Sequence, residues 1–130
     1  MNSKEFKKFT LDSDKNVIAV DFDGVIHKSS KGFYDGTIYD EPVEGSLEAI
    51  KKLSKKHDIV IFTCKAKRDR PDVNGKTGVM LVDEWLEKHG IRDYVKRITS
   101  EKPRAQIYID DRGYYFESWE KTLVDVDERL

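Results

Sequence analysis

Two pairs of aspartates, Asp21 with Asp23 and Asp110 with Asp111, each close a short apolar run, and Gly24 directly follows the first pair. A further apolar run ends in Thr63, and Lys102 lies just upstream of the run that leads to Asp110. If these runs are strands of one parallel sheet, their carboxyl ends meet at the edge where open α/β sheets bind ligands. Four carboxylates converging there repel one another, and burying them unpaired is costly. A hard divalent cation resolves the conflict, and Mg²⁺ takes one or two carboxylates while keeping several waters. Lys102 supplies a further positive charge and Thr63 a hydroxyl donor. A carboxylate nucleophile among such neighbours has the parts for phosphoryl transfer through an aspartyl-phosphate. Gly24 lets the backbone turn tightly and present amides to phosphate oxygens.

The elements that must position these residues are legible as runs and periodicities. Residues 17–22, 59–63 and 106–110 are short, apolar and rich in β-branched side chains without alternation, which suits strands buried on both faces. Residues 95–99 form a weaker candidate. Leu47, Ile50 and Leu53 recur at helical spacing, with Ser46 placed to cap and lysines crowding the end. Val79, Val82 and Leu86 mark a second helix, which carries Trp85 and stops at Gly90. Phe116, Trp119 and Leu123 suggest a third, although residues 122–126 equally suit a final strand. Alternation of strand and helix predicts an α/β sheet with right-handed crossovers. Residues 24–44 and 64–78, rich in Gly, Pro, Asp and Lys, read as surface loops.

In these motifs the chain resembles a haloacid-dehalogenase (HAD) superfamily phosphatase. The first family motif stands as Asp21-Phe22-Asp23-Gly24-Val25-Ile26, the second as the strand ending in Thr63, the third as Lys102-Pro103 and the fourth as Asp110-Asp111. All four follow the family's order, over about residues 17–120. The resemblance implies a single Rossmann-like, three-layer domain with a central parallel sheet. It also implies Asp21 as nucleophile and Mg²⁺ ligand, and Asp23 as general acid, then base, touching the metal through its backbone carbonyl. Thr63 and Lys102 would hold the transferring phosphoryl group, Lys102 also orienting Asp21. Asp110 would bind Mg²⁺, and Asp111 would do so directly or through water. The expected phosphate-binding positions are Asp21, Gly24, Thr63, Cys64 and Lys102, with Lys65, Arg68 and Arg112 as further substrate contacts. More narrowly, Ile109-Asp110-Asp111-Arg112 followed by Trp119 resembles the phosphatase domain of phage polynucleotide kinase/3′-phosphatases, and small phage and bacterial HAD-like proteins. That points to nucleotides or polynucleotide 3′ ends as substrates. Those phosphatases often carry Ser-Gly-Arg at the second motif, where this chain has Thr63-Cys64-Lys65, and Lys lacks the bidentate fork of Arg.

Each signal has a bland counterpart. An aspartate pair also makes a turn, and a threonine ends many strands. Arg104 competes with Lys102 for the basic role, and Arg112 equally serves to neutralise the acid pair. Lys65, Lys67, Arg68 and Arg70 either meet a phosphate-rich substrate or form a solvated loop. His27 reads as a surface residue, while His57 and His89 sit near helix ends, where a positive charge suits the dipole. Asn74-Gly75-Lys76-Thr77 contains a GKT, but Arg70 stands where a P-loop needs its first glycine, so the segment reads as a turn. A receiver-like phosphoacceptor uses the same residue types. It would, however, place its acid pair after the first strand and its Lys last, the reverse of the order here. A non-catalytic phosphate- and Mg²⁺-binding module and a phosphatase of small sugar phosphates are the remaining alternatives.

Composition sets the outer limits. With 130 residues, 24 basic and 25 acidic side chains and a formal net charge of −1, one domain is expected, and a strongly basic nucleic-acid coat is excluded. A single cysteine, Cys64, excludes a disulfide framework. No apolar run reaches membrane-spanning length and residues 1–15 show no signal-peptide pattern, so a cytoplasmic protein without membrane partners is expected. The expected layout is a polar extension over residues 1–16 and the phosphatase domain over 17–130. Residues 23–63 and 63–102 are too short to hold a cap domain. The site is therefore expected to be open, screened by residues 28–40 and 64–78 or by another subunit of a homo-oligomer.

Overall fold

The computed structural model describes residues 16–110 and 114–129. Its sheet has five parallel strands in the order β3-β2-β1-β4-β5. These are β1 (Val17–Asp21), β2 (Asp58–Phe62), β3 (Arg97–Thr99), β4 (Ile107–Asp110) and β5 (Tyr114–Tyr115). Three helices accompany them among the described residues: α1 (Ser46–Leu53), α2 (Gly78–Lys88) and α3 (Trp119–Arg129). The predicted strands all form, each within a residue or two of its expected limits. The segment 122–126 belongs to α3 and not to a last strand. No helix is long and apolar enough to cross a membrane among the described residues.

Register explains why these strands are apolar throughout. Ile18 pairs with Ile59 and Ile107, and Val20 with Ile61 and Ile109, so these side chains share one face of the sheet. Ala49, Ile50 and Leu53 of α1, Val82, Trp85 and Leu86 of α2, and Trp119 and Val126 of α3 join that face in a single core. The opposite face carries Val17, Ala19, Val60 and Tyr108, with Asp21, Phe62 and Asp110 at its carboxyl end. Among the described residues, the buried sides of all three helices join one face, and Val17, Ala19 and Val60 are buried on the other. A helix between β3 and β4 would cover the second face, and residues 100–106, which include Pro103, contain none.

Helix ends also differ in detail. Ser46 does not cap α1; Gly45 does, with φ 80, and the Ser46 hydroxyl is buried and reaches the Ile26 carbonyl at 3.4 Å. Trp119 lies against Gly45, where any Cβ would sit 3.4 Å from the tryptophan Cβ. Thr77 caps α2 by accepting the Met80 N–H at 3.2 Å. Val79, expected on the core face of α2, is 38% exposed, and the buried stripe starts at Val82. Asn74 and Gly75 both have positive φ, and Val73 and Lys76 exchange backbone hydrogen bonds of 2.9 and 3.0 Å. Asn74 and Gly75 therefore form a two-residue hairpin turn, at the place where a turn was expected.

Candidate active site

Three neighbouring strands deliver the acidic and hydroxyl groups. Val20 pairs with Ile109, so the residues that follow, Asp21 and Asp110, end adjacent strands. Asp21 pairs with Phe62, and Thr63 continues β2, keeping its N–H on the Thr99 carbonyl at 2.9 Å. Asp110 is buried whereas Asp21 is half-buried, and the Asp21 carboxylate accepts the Phe22 N–H at 2.7 Å. The Lys102 ammonium lies 3.4 Å from Asp110 Oδ2. It also sits 4.5 Å from the Tyr108 ring centre and 5.7 Å from that of Phe62, which fixes it over the Asp21 face of the sheet. Asp111 and Arg112 lie outside the described residues.

After β1 the chain folds into a tight turn. The Phe22 carbonyl accepts from Ile26 N–H at 2.9 Å and from His27 N–H at 3.0 Å. Gly24 has φ 82, a conformation that only glycine adopts without strain. Its amide, however, donates to the His27 carbonyl at 2.7 Å, so it closes the turn and does not face a phosphate as expected. The buried Trp119 indole anchors the turn from below by donating to the Val25 carbonyl at 2.9 Å. Asp23, partly exposed, is held at Oδ1 by His27 Nδ1 at 2.9 Å, and Lys65 Nζ approaches Oδ2 at 3.5 Å.

The segment after β2 separates its cations. Residues Cys64–Ala66 form a single 3₁₀ turn, and the Thr63 hydroxyl accepts the Lys65 N–H at 3.3 Å. Cys64 is exposed, while Lys65 is buried with its head between Asp23 and the Phe33 ring, 5.5 Å from that ring's centre. Arg70 lies 5.4 Å from the same ring. The four basic residues therefore do not act as one patch. Lys65 and Arg70 face a cavity of about 380 Å³ that also touches Phe33, Val73 and Leu81. Lys67 and Arg68 border a separate groove of about 660 Å³ with Thr99 and Ser100, at the carboxyl ends of β2 and β3.

His27 corrects the sequence reading most sharply. It is fully buried, stacked on Phe22 and edge-on to Trp85 and Tyr39, not a surface residue. Its place four residues after Asp23, behind two apolar residues, was the available signal. Asp40 organises the adjoining loop, accepting from Ser30 N–H at 2.9 Å, Ser30 Oγ at 2.5 Å and Glu41 N–H at 2.8 Å. These bonds, the Ser30 hydroxyl first, lower its pKa to about 2. His89, tilted against Trp85, has its pKa lowered by burial and then by Lys88. That opposes the positive charge expected there.

Among the described residues, no three His, Cys, Asp or Glu side chains form a group that could hold a metal by themselves. The donors that adjacent strands do offer, the Asp21 and Asp110 carboxylates, are hard oxygens. Such a set fits Mg²⁺, which retains most of its waters, rather than a softer ion that needs nitrogen or sulfur ligands. Comparison of the chain with protein-family models, with curated proteins and with solved structures finds no match.

Proposed function

We propose that this protein is a Mg²⁺-dependent phosphomonoesterase of the HAD type, working through a phosphorylated Asp21. The supporting observation is the meeting of Asp21, Thr63 and Asp110 at adjacent strand ends, with Lys102 on Asp110 and Lys65 on Asp23. An Asp21 oxygen attacks phosphorus, forming a P–O bond as the ester P–O bond breaks. The departing oxygen takes a proton from Asp23. Asp23 then accepts a proton from water as the water attacks phosphorus, releasing inorganic phosphate and restoring the Asp21 carboxylate. Lys102 and the Thr63 hydroxyl face the transferring oxygens, and Lys102 limits repulsion between Asp110 and Asp21. Bound through Asp21, Asp110 and the Asp23 carbonyl, Mg²⁺ would supply charge neutralisation between the carboxylates and the phosphoryl group.

The substrate side is open. Residues 23–63 and 63–102 hold α1, α2, three strands' connections and loops, with no separate cap among them. Exposed Phe33 beside Lys65 and Arg70 supports a substrate that carries a planar base and more than one negative charge. Nucleotides or polynucleotide 3′ ends meet that description better than a hexose phosphate. The test is a phosphatase screen with Mg²⁺ over 3′-phosphorylated oligonucleotides, mononucleotides and hexose phosphates, at low and high salt, with Asp21→Asn and a chelator as controls. Hydrolysis should vanish in both controls, and the nucleotide preference should fall with salt. Turnover by Asp21→Asn at the wild-type rate would remove Asp21 as nucleophile. A hexose phosphate preferred at both salt concentrations would remove the nucleotide reading.

A further inference from the structure

We propose that His27 is a positioning residue for Asp23, acting as a neutral imidazole that carries its proton on Nδ1. Two hydrogen bonds determine that tautomer. His27 Nε2 lies 3.0 Å from the Asp40 backbone nitrogen, whose N–H can only donate, so Nε2 must be the unprotonated acceptor. The ring proton is then on Nδ1, which donates to Asp23 Oδ1 at 2.9 Å. No rotation of the ring is available to relieve either bond. Phe22 stacks on it with centroids 5.5 Å apart, and Trp85 and Tyr39 stand edge-on at 5.7 and 5.3 Å.

The acceptor side is anchored in turn. The Asp40 carbonyl receives the Trp85 indole N–H at 3.1 Å, which ties it to α2, and the Asp40 carboxylate is held by Ser30 and Glu41. A chain of contacts therefore runs from the core through Asp40 and His27 to one oxygen of Asp23. Lys65 approaches the other oxygen at 3.5 Å. Holding Oδ1 leaves Oδ2, on the Lys65 side, to exchange protons with the substrate. His27 itself stays out of contact with the reacting atoms. This inference rests on the proposed phosphatase reading only in giving Asp23 a proton to transfer; the tautomer stands on geometry alone.

The experiment pairs a structural and a kinetic reading. Two-bond ¹H–¹⁵N correlation spectra of the wild-type protein at neutral pH should show His27 protonated at Nδ1 and bare at Nε2. A proton on Nε2, or on both nitrogens, overturns the proposal whether or not the protein is an enzyme. Kinetically, kcat/KM is followed for an alkyl phosphate and for an activated aryl phosphate, since it reports the first chemical step. In His27→Gln the amide oxygen can still accept from Asp40, but the donor to Asp23 is lost. Its kcat/KM should fall at least about tenfold for the alkyl ester, a part of the roughly 10²–10⁴-fold worth of proton transfer, and less than about threefold for the aryl ester. His27→Asn, whose amide nitrogen takes the place of Nδ1, should recover part of the alkyl activity. Equal losses on both esters, or none on either, overturn the positioning role. Wild-type protein inactive on both esters would instead dismiss the phosphatase reading, leaving the spectra to decide the tautomer.

Discussion

Replacing Gly78 by alanine should destabilise the protein and displace Lys65 from the site. A Cβ built on Gly78 would lie 1.4 Å from the Lys65 carbonyl oxygen and 2.5 Å from its carbonyl carbon. The obstruction is backbone, so no side-chain rotation relieves it, and an ordinary contact requires the two segments to part by about 2 Å. Overpacking of this kind costs about 1–3 kcal/mol, and a backbone obstacle puts it at about 3. Alanine at the first turn of α2 recovers up to about 1 kcal/mol through helix propensity and a less flexible unfolded chain. The net loss is about 2 kcal/mol, or a fall in Tm of roughly 6–10 °C for a chain of this size. Urea and thermal denaturation followed by circular dichroism measure it, with Val79→Ala, at an exposed position one residue on, as the reference for helix propensity. Because Lys65 moves with its carbonyl, kcat/KM should fall along with stability in Gly78→Ala. An unchanged urea midpoint would refute the close approach of α2 to the 3₁₀ turn, and with it the account of how Lys65 is aimed.

Asp23→Asn should retain Mg²⁺ binding but lose about 10²–10⁴-fold in turnover of an alkyl phosphate; a loss under about tenfold takes Asp23 out of proton transfer. Trp119→Phe leaves the Val25 carbonyl without its indole donor in a buried site, so urea denaturation should show a loss of about 2 kcal/mol. A change below about 0.5 kcal/mol would show that Trp119 does not anchor the turn. The Asp40 pKa is depressed to about 2, so its contribution to stability is present above the ordinary carboxylate range and is lost as pH falls from about 4 towards 2. The stability gap between wild type and Ser30→Ala, measured by urea titration at several pH values, should shrink across that window. A constant gap would mean that Ser30 does not stabilise the ionised form.

The candidate site's frame was legible along the chain because its parts are local. Buried parallel strands demand unbroken apolar runs, and the residues that end them, Asp21, Thr63 and Asp110, stand at the sheet edge by connectivity alone. Helix α2 was likewise marked by its own periodicity and by Gly90, which has φ 74. The cap of α1 is not legible in the same way, because serine and glycine are adjacent there and Gly45, packed against Trp119, is the one that leaves the helix.

What the linear pattern could not carry are contacts between segments far apart in the chain. Whether His27 is surface or core depends on Phe22, Tyr39 and Trp85 closing around it, and its proton position depends on the backbone of Asp40. Lys65 and Arg68 read alike in a run of cations, yet only the turn under Gly78 sends Lys65 inward to Asp23 and leaves Lys67 and Arg68 along another groove. The core's position on one face follows from the shortness of the link between β3 and β4, together with the register that aligns Ile18, Ile59 and Ile107. Residue types and their order set which chemistry the strand ends can offer. Only the tertiary structure decides which side chains are desolvated and aimed, because burial and direction are properties of packed neighbours and not of spacing.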